Sequence, residues 1–124
     1  MPYNLTIKSS FSSAHQLKGY QGGCENLHGH NWAVEISVIS KTLDNIGLAV
    51  DFRELKKIVK RVLKDYDHVV LNEHPDFKEK NPTAEHIAES IYKKMAKESF
   101  GENDVKIDKV TVWETEGCSA SYTE

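Results

Sequence analysis

Residues 31–41 read NWAVEISVISK, a run in which large apolar side chains alternate with polar or small ones. Trp32, Val34, Ile36 and Val38 fall on one face of an extended backbone, because successive residues of a strand point to opposite sides. The β-branched residues in the run also favour a strand. The pattern therefore predicts a strand over Asn31–Lys41 with one face buried.

Three other regions of the chain have strand character. Residues 3, 5 and 7 are apolar and alternate with polar ones, which predicts a half-buried strand from Tyr3 to about Phe11. In the last β region, residues 105–113, the alternation slips by one near Asp108-Lys109, which indicates either a bulge or a hairpin turn. Residues 119–123 could pair at a sheet edge. Residues 16–29 hold four glycines and little periodicity, which indicates a loop.

Two helices are predicted between the strand pairs. The first runs from Asp51, a suitable N-cap, to about Lys64, with apolar residues at helical spacing. The second opens at Asn81-Pro82-Thr83 with Thr83 as its cap, and residues 66–80 are predicted to be irregular. The order β, β, α, α, β predicts an α+β domain over residues 1–124, with the helices packed on one face of an antiparallel sheet. Open edges of such a sheet favour self-association.

Composition excludes several classes of partner. The 124 residues carry a net charge of −3, which does not favour a polyanion such as nucleic acid. No apolar run approaches the length of a membrane span, and the N-terminus lacks the pattern of a secretory signal.

Cys24 and Cys118 are too few for a disulfide framework; one bridge is possible, but two thiols in a cytoplasmic protein are the better interpretation. The basic face of the first helix favours solvent exposure, with phosphate attraction as the alternative.

The most specific local pattern is His28-Gly29-His30. On an extended backbone these two histidines point to the same side and can share one ion. His15 follows the first strand, where antiparallel pairing with the second strand can bring it near. Three imidazoles would leave a fourth zinc position open, as in catalytic sites. The alternative is that His-Gly-His forms a turn and His15 is a surface residue.

Cys24 has two possible roles beside such an ion. As a fourth ligand it would close the zinc site. Off the metal it could act as a thiolate base or nucleophile, which requires a lowered pKa. Composition does not choose between the two.

Two further pairs carry acid–base or binding chemistry. Asp67-His68 has the residue types of a tuned general base, although adjacent residues rarely pair directly and a folded loop would have to bring them together. If Trp113 faces the core, Glu114 faces the other way and could bind a ring with adjacent N–H donors, such as an aminopyrimidinone; a solvated strand end is the alternative. His74 and His86 are interpreted as surface residues.

Taken in order, these motifs resemble the 6-pyruvoyltetrahydropterin synthase superfamily over essentially the whole chain. The resemblance rests on the following segments of the sequence: Phe11-Ser12-Ser13-Ala14-His15, Cys24 with His28-Gly29-His30, Asp67-His68, Pro82 to Ala88, and Trp113-Glu114-Thr115. The three-residue gap between Cys24 and His28 resembles the bacterial and archaeal branch that makes 6-carboxytetrahydropterin, a queuosine precursor. A glutamate in the neighbourhood of Glu25 is a feature of a sister branch that releases a hydroxymethyl pterin for folate synthesis.

The resemblance implies a role for each matching residue. His15, His28 and His30 would bind zinc, Cys24 would accept a proton, and Asp67 with His68 would activate it. Glu114 would anchor the pterin, and Thr83 and Glu85 would border its pocket.

The resemblance also implies a fold, an assembly and a reaction. The fold would be the tunnelling fold, a four-stranded antiparallel sheet with two helices inserted between its strand pairs. Subunits of that family join edge to edge into a homohexamer of two trimers. The reaction would convert 7,8-dihydroneopterin triphosphate to 6-carboxy-5,6,7,8-tetrahydropterin, acetaldehyde and triphosphate. The pyruvoyl and hydroxymethyl products are alternatives on the same site, and a zinc-binding module without turnover is the alternative outside enzymes.

Overall fold

The structure, a computed structural model, describes residues 2–19, 26–101 and 104–124. Four antiparallel strands form one sheet in the order β1-β2-β3-β4: β1 Tyr3–His15, β2 His28–Ser40, β3 Val105–Thr115 and β4 Cys118–Tyr122. Two helices, α1 Phe52–Leu63 and α2 Ala84–Met95, lie between β2 and β3 in the chain. The predicted α+β class with two helices between strand pairs is confirmed.

The first two strands are longer than the periodicity predicts, at the C-terminal end of β1 and the N-terminal end of β2. β1 continues past Phe11 to His15, and β2 begins at His28 rather than Asn31. The added residues are mostly small or polar, so hydrophobic alternation does not detect them. They pair residue by residue through the backbone, with His15 opposite His28 at the end of the ladder. Backbone pairing, rather than side-chain burial, therefore sets the ends of these strands.

The core-facing side of β2 is fully buried, and the helices pack over the neighbouring strands. Trp32, Val34, Ile36 and Val38 are all at most 1% exposed, which confirms the predicted buried face of β2. α1 packs over β1, while α2 lies over β3 and β4. Asp51 caps α1 by accepting a hydrogen bond from the Arg53 N–H. Thr83 caps α2 in the same way through the His86 N–H, so both predicted caps are confirmed.

The predicted slip in the last β region is a bulge. Ser37 pairs with Lys109 and Val38 with Ile107, which leaves Asp108 as the extra residue of β3. The Asp108 carboxylate accepts hydrogen bonds from Asn4 Nδ2 and Ser37 Oγ. The hairpin alternative is excluded here because β3 continues to Thr115 before the chain turns into β4.

The stretch between the helices is not an exposed loop. It forms three short 3₁₀ turns, Lys64–Tyr66, Leu71–Glu73 and Pro75–Phe77, which bury Tyr66, Leu71 and Phe77 in the core. His74 was expected at the surface, and this was wrong: it is 9% exposed and stacks on the Tyr66 ring. Isolated in sequence, it gave no periodic signal of burial. None of the helices in the described ranges is long and apolar enough to cross a membrane.

Candidate metal centre

Strand register brings three histidines together at one end of the sheet. His15 lies opposite His28, and Ser13 lies opposite His30, so all three rings are on the core-facing side of β1 and β2. The ring centroids of the three pairs are 4.6 to 5.2 Å apart. Gly29 lies between His28 and His30 in β2 and adds no side chain. The first alternative from sequence, a turn at residues 28–30 and a surface His15, is wrong, because these residues are in strands and His15 is 1% exposed.

The tautomers of His15 and His28 follow from their backbone partners. His15 Nδ1 lies 2.8 Å from the Pro82 carbonyl oxygen, and His28 Nδ1 lies 2.7 Å from that of Asn26. A carbonyl oxygen only accepts, so both Nδ1 atoms donate and carry the proton of the neutral ring. With both rings neutral, the two Nε2 atoms direct lone pairs at each other across 3.1 Å. A cation between them would remove this repulsion, which is how a pair of oriented imidazoles binds a metal.

His30 and Glu114 complete the cluster. His30 Nε2 is buried and has no hydrogen-bond partner among the described residues, although Glu114 Oε1 lies 3.0 Å away. Glu114 Oε1 is also 3.7 Å from His15 Nε2. One ligand atom from each of the four residues lies within 4.8 Å of the others. A buried nitrogen left without a partner, next to two facing lone pairs, fits a bound metal ion.

Glu114 joins this cluster because Trp113 does not face the core. Trp113 pairs with Ala33, on the outer side of the sheet, and lines a groove of about 400 Å³ there. Val112 pairs with Val34, on the core side, and Glu114 shares the face of Val112. Trp113 and Glu114 thus face opposite sides, as the alternation predicts, but the condition that Trp113 faces the core is not met, and Glu114 is on the side of the helices and the histidines. The same alternation, read with the opposite face inward, predicts this arrangement, but the sequence does not reveal which face is inward.

Burial dominates the electrostatics of His15. Loss of hydration lowers the pKa of His15, the hydrogen bond to the Pro82 carbonyl opposes this effect, and the nearby His28 lowers the pKa further. A lowered pKa keeps the imidazole neutral near pH 7, which is the state that coordinates metals.

Asp67 and His68 do pair directly, and the backbone explains how. His68 has a φ of +55°, in the left-handed region, which turns its Nδ1 to within 2.9 Å of Asp67 Oδ2. The segment is held on the outer edge of β1: the Ser12 N–H donates to Asp67 Oδ1, and the His68 N–H donates to the Ser12 carbonyl. The Ser12 N–H, followed by His68, lowers the pKa of Asp67. The His68 side chain is 81% exposed, so the pair faces outward from this chain.

The remaining expected site residues are Thr83, Glu85 and Cys24. Thr83 is half-buried in the turn before α2, directly after Pro82, whose carbonyl holds His15. Glu85 is exposed in the first turn of α2. Cys24 and Glu25 lie outside the described residues. Sequence reasoning missed the Pro82 carbonyl, because a backbone acceptor has no residue signature.

The basic face of α1 forms a groove of about 830 Å³ against β1, and Asp67 also lines this groove. Its cationic lining consists of Lys8, Lys56, Lys57, Lys60, Arg61 and Lys64. The groove reaches β1 at Ile7 to Ser10, and His15 is five residues further along, about 16 Å at the rise of a strand. Within one chain, the groove therefore reaches the Asp67-His68 pair, but its β1 residues are separated from His15 along the strand.

The family model for 6-pyruvoyl tetrahydropterin synthase matches residues 4–124 of this chain. The chain belongs to that family. The resemblance seen in the sequence is thus confirmed at the level of the 6-pyruvoyl tetrahydropterin synthase family, and so is the tunnelling fold. A solved structure of Caenorhabditis elegans 6-pyruvoyl tetrahydropterin synthase superposes with a TM-score of 0.85 at 25% identity, covering 100% of this chain and 96% of the other.

Two curated relatives within the family carry different names. A Bacillus subtilis protein named 6-carboxy-5,6,7,8-tetrahydropterin synthase is 37% identical over 98 residues, which are 73% of this chain and 65% of the relative. A Pyrococcus furiosus protein named dihydroneopterin monophosphate aldolase is 36% identical over 114 residues, 92% of this chain and 91% of the relative. Several further relatives also carry the name 6-carboxy-5,6,7,8-tetrahydropterin synthase, which agrees with the branch that the sequence motifs resemble.

Proposed function

We propose that this chain converts 7,8-dihydroneopterin triphosphate and one water molecule to 6-carboxy-5,6,7,8-tetrahydropterin, acetaldehyde and triphosphate, as a lyase of queuosine biosynthesis. The observation that carries the proposal is the convergence of His15, His28 and His30, with two lone pairs facing each other across 3.1 Å. Family membership and the named carboxytetrahydropterin synthase relative support it.

Zinc is the proposed metal, held by His15, His28 and His30. A zinc ion bound tetrahedrally at about 2.0–2.1 Å places two imidazole nitrogens about 3.3 Å apart, which is close to the observed 3.1 Å. When bound, zinc supplies Lewis acidity to the side-chain oxygens of the substrate. The backbone carbonyls of Pro82 and Asn26 keep the Nε2 lone pairs of His15 and His28 aimed at the ion.

Three residues, Cys24, Asp67 and His68, are assigned to proton transfer. Cys24 accepts the proton that leaves a side-chain carbon of the substrate, a role proposed from the sequence motif. Asp67 stays ionised, since its pKa is lowered, and its carboxylate orients the His68 imidazole. His68 then relays a proton to or from Cys24 or the substrate.

Substrate binding is assigned to Glu114, Thr83 and Glu85. The Glu114 carboxylate can accept the adjacent N–H donors of an aminopyrimidinone, and it lies beside the histidines. Thr83 adjoins the Pro82 carbonyl at the same end of the sheet. The triphosphate is assigned to lysines, either those of α1 or those of a neighbouring subunit.

The proposed assembly is a homohexamer of two trimers, formed from a single pterin synthase domain over residues 1–124 in the cytoplasm. The exposed Asp67-His68 pair on the outer edge of β1 supports a site shared with a neighbouring subunit, since it faces away from its own chain. A monomeric mass by light scattering, with full activity, would contradict this part of the proposal.

The deciding experiment is incubation of the zinc-loaded protein with 7,8-dihydroneopterin triphosphate, followed by mass analysis of the products. We expect 6-carboxytetrahydropterin and equimolar acetaldehyde. A hydroxymethyl pterin would favour the second candidate, an aldolase-type reaction, which the Pyrococcus furiosus relative and Glu25 support. A pyruvoyl product would assign the chain to the pyruvoyl branch, and no turnover with full zinc occupancy would favour a metal-binding module.

A further inference from the structure

Two asparagine side chains form hydrogen bonds with the backbone directly after His15. The Gln16 N–H donates to Asn72 Oδ1 at 2.8 Å, and Asn72 Nδ2 donates to the Gln16 carbonyl at 2.8 Å. The Lys18 N–H donates to Asn81 Oδ1 at 2.9 Å, and Asn81 Nδ2 donates to the Lys18 carbonyl at 2.9 Å. Each amide therefore satisfies both backbone groups of one residue.

The pattern imitates a neighbouring strand. Gln16 and Lys18 are two residues apart, so their N–H and carbonyl groups point to the same side of an extended segment. A carboxamide offers one donor and one acceptor in the arrangement of a peptide group. β1 stops pairing with β2 at His15, and the two amides continue the hydrogen bonding for three more residues.

The turn that carries one of these asparagines also holds the His15 ring. Pro82, the next residue after Asn81, accepts the hydrogen bond from His15 Nδ1. The Asn81 carbonyl is itself fixed by the Thr83 N–H at 2.9 Å and by His86 Nδ1 at 2.7 Å. The imidazole of His15 and the backbone that follows it are thus held by one rigid turn, and Asn72 holds the residue adjacent to His15 from a second element, the 3₁₀ turn Leu71–Glu73.

We infer that Asn72 and Asn81 are positioning residues of the metal centre. They fix the chain on the C-terminal side of His15, so that Nε2 of its ring is already aimed at His28, His30 and Glu114 before metal arrives. Preorganisation of this kind lowers the entropy cost of binding and slows metal release. The inference rests on the metal centre of the proposed function.

The test uses Asn72→Asp and Asn81→Asp in the full chain. Aspartate keeps the size and the acceptor, but it cannot donate to the Gln16 or Lys18 carbonyl and sets a negative charge against it. Asn45→Asp is the matched control, because Asn45 is exposed in the turn before α1 and undergoes the same change of charge. Each protein is loaded with Co²⁺; its d–d absorption spectrum, its dissociation constant by chelator competition and its metal-free melting temperature are measured.

We expect the dissociation constant to rise about 10- to 100-fold in N72D and N81D, the range for groups that orient a ligand, with a changed d–d spectrum. N45D should match the unmodified protein in both. A spectrum and dissociation constant equal to those of N45D would overturn the inference, even if the metal-free melting temperature fell, since the asparagines would then be merely structural. If N81D does not fold, N72D decides alone, because Asn72 contacts the residue next to His15. Failure of the unmodified chain to bind Co²⁺ would overturn the metal centre itself and the inference with it.

Discussion

Replacing Glu114 by glutamine removes one negative charge from beside the histidines and keeps the shape of the side chain. Glu114 Oε1 lies 3.0 Å from His30 Nε2 and 3.7 Å from His15 Nε2, so a metal bound by these rings would meet the carboxylate. Two unit charges about 4 Å apart interact by about 4 kcal/mol at an effective dielectric constant of about 20, and a divalent ion about doubles this value. The Glu114 side chain is 33% exposed, and solvent screening reduces that value. We expect zinc binding to weaken about 10- to 100-fold, or about 1.4 to 2.8 kcal/mol.

The assay is zinc competition against a chromophoric chelator at fixed pH and ionic strength, without pterin. Glu116→Gln is the matched control, because Glu116 is exposed in the turn between β3 and β4 and its change alters the net charge equally. If E114Q and E116Q bind zinc with affinities within about twofold of each other, the electrostatic reasoning is refuted. Glu114 would then serve only the substrate, and its replacement should raise KM for the pterin.

Three further perturbations test the site, the titration and the core. Cys24→Ala should keep zinc while turnover falls by about two orders of magnitude, as for a positioned acid–base group. Loss of zinc in this variant would contradict the assignment of Cys24 as the base. Loss of turnover in the control Cys118→Ala, with turnover kept in Cys24→Ala, would contradict it as well. Burial, and after it the Lys94 ammonium, lowers the pKa of His74. As the pH falls below about 6.5, His74 therefore binds a proton in the unfolded chain before it does so in the folded chain. Urea unfolding of the metal-free protein should therefore show stability falling from pH 7.5 to 5.5, with a smaller fall in His74→Gln; equal falls would refute this. Leu71→Ala should cost about 2–5 kcal/mol of unfolding free energy, since Leu71 is fully buried, whereas Leu43→Ala, at 38% exposure, should cost under about 0.5 kcal/mol in the same measurement.

The secondary structure was largely accessible from local sequence. The alternation around Trp32, the helical spacing after Asp51 and the cap at Thr83 each reflect a rule that acts within a few residues. The slip near Asp108 is also detectable, because one extra residue shifts the phase of a period-two pattern, but the sequence leaves a bulge and a hairpin turn as alternatives. These features depend on short-range sterics and on which side chains avoid water.

The neighbours of the histidines were accessible only in part. The pattern His28-Gly29-His30 indicates a shared face, and antiparallel pairing suggested that His15 lies nearby. The sequence did not reveal that Glu114 faces the same cluster, because its alternation with Trp113 is equally consistent with either side inward. The burial of His74 depends on three short turns folding over the sheet, and no local pattern encodes that packing.

Local sequence therefore determined the strands, the helices and the types of residue able to bind a metal, because propensity, capping and hydrophobic period act over a few positions. The tertiary structure decided the register that sets His15 opposite His28, the face on which Glu114 lies, and the contacts of Pro82, Asn72 and Asn81 around His15. Those contacts join residues more than fifty positions apart in the chain. Their geometry depends on backbone hydrogen bonds between elements, and a backbone carbonyl or N–H is the same group whichever residue carries it.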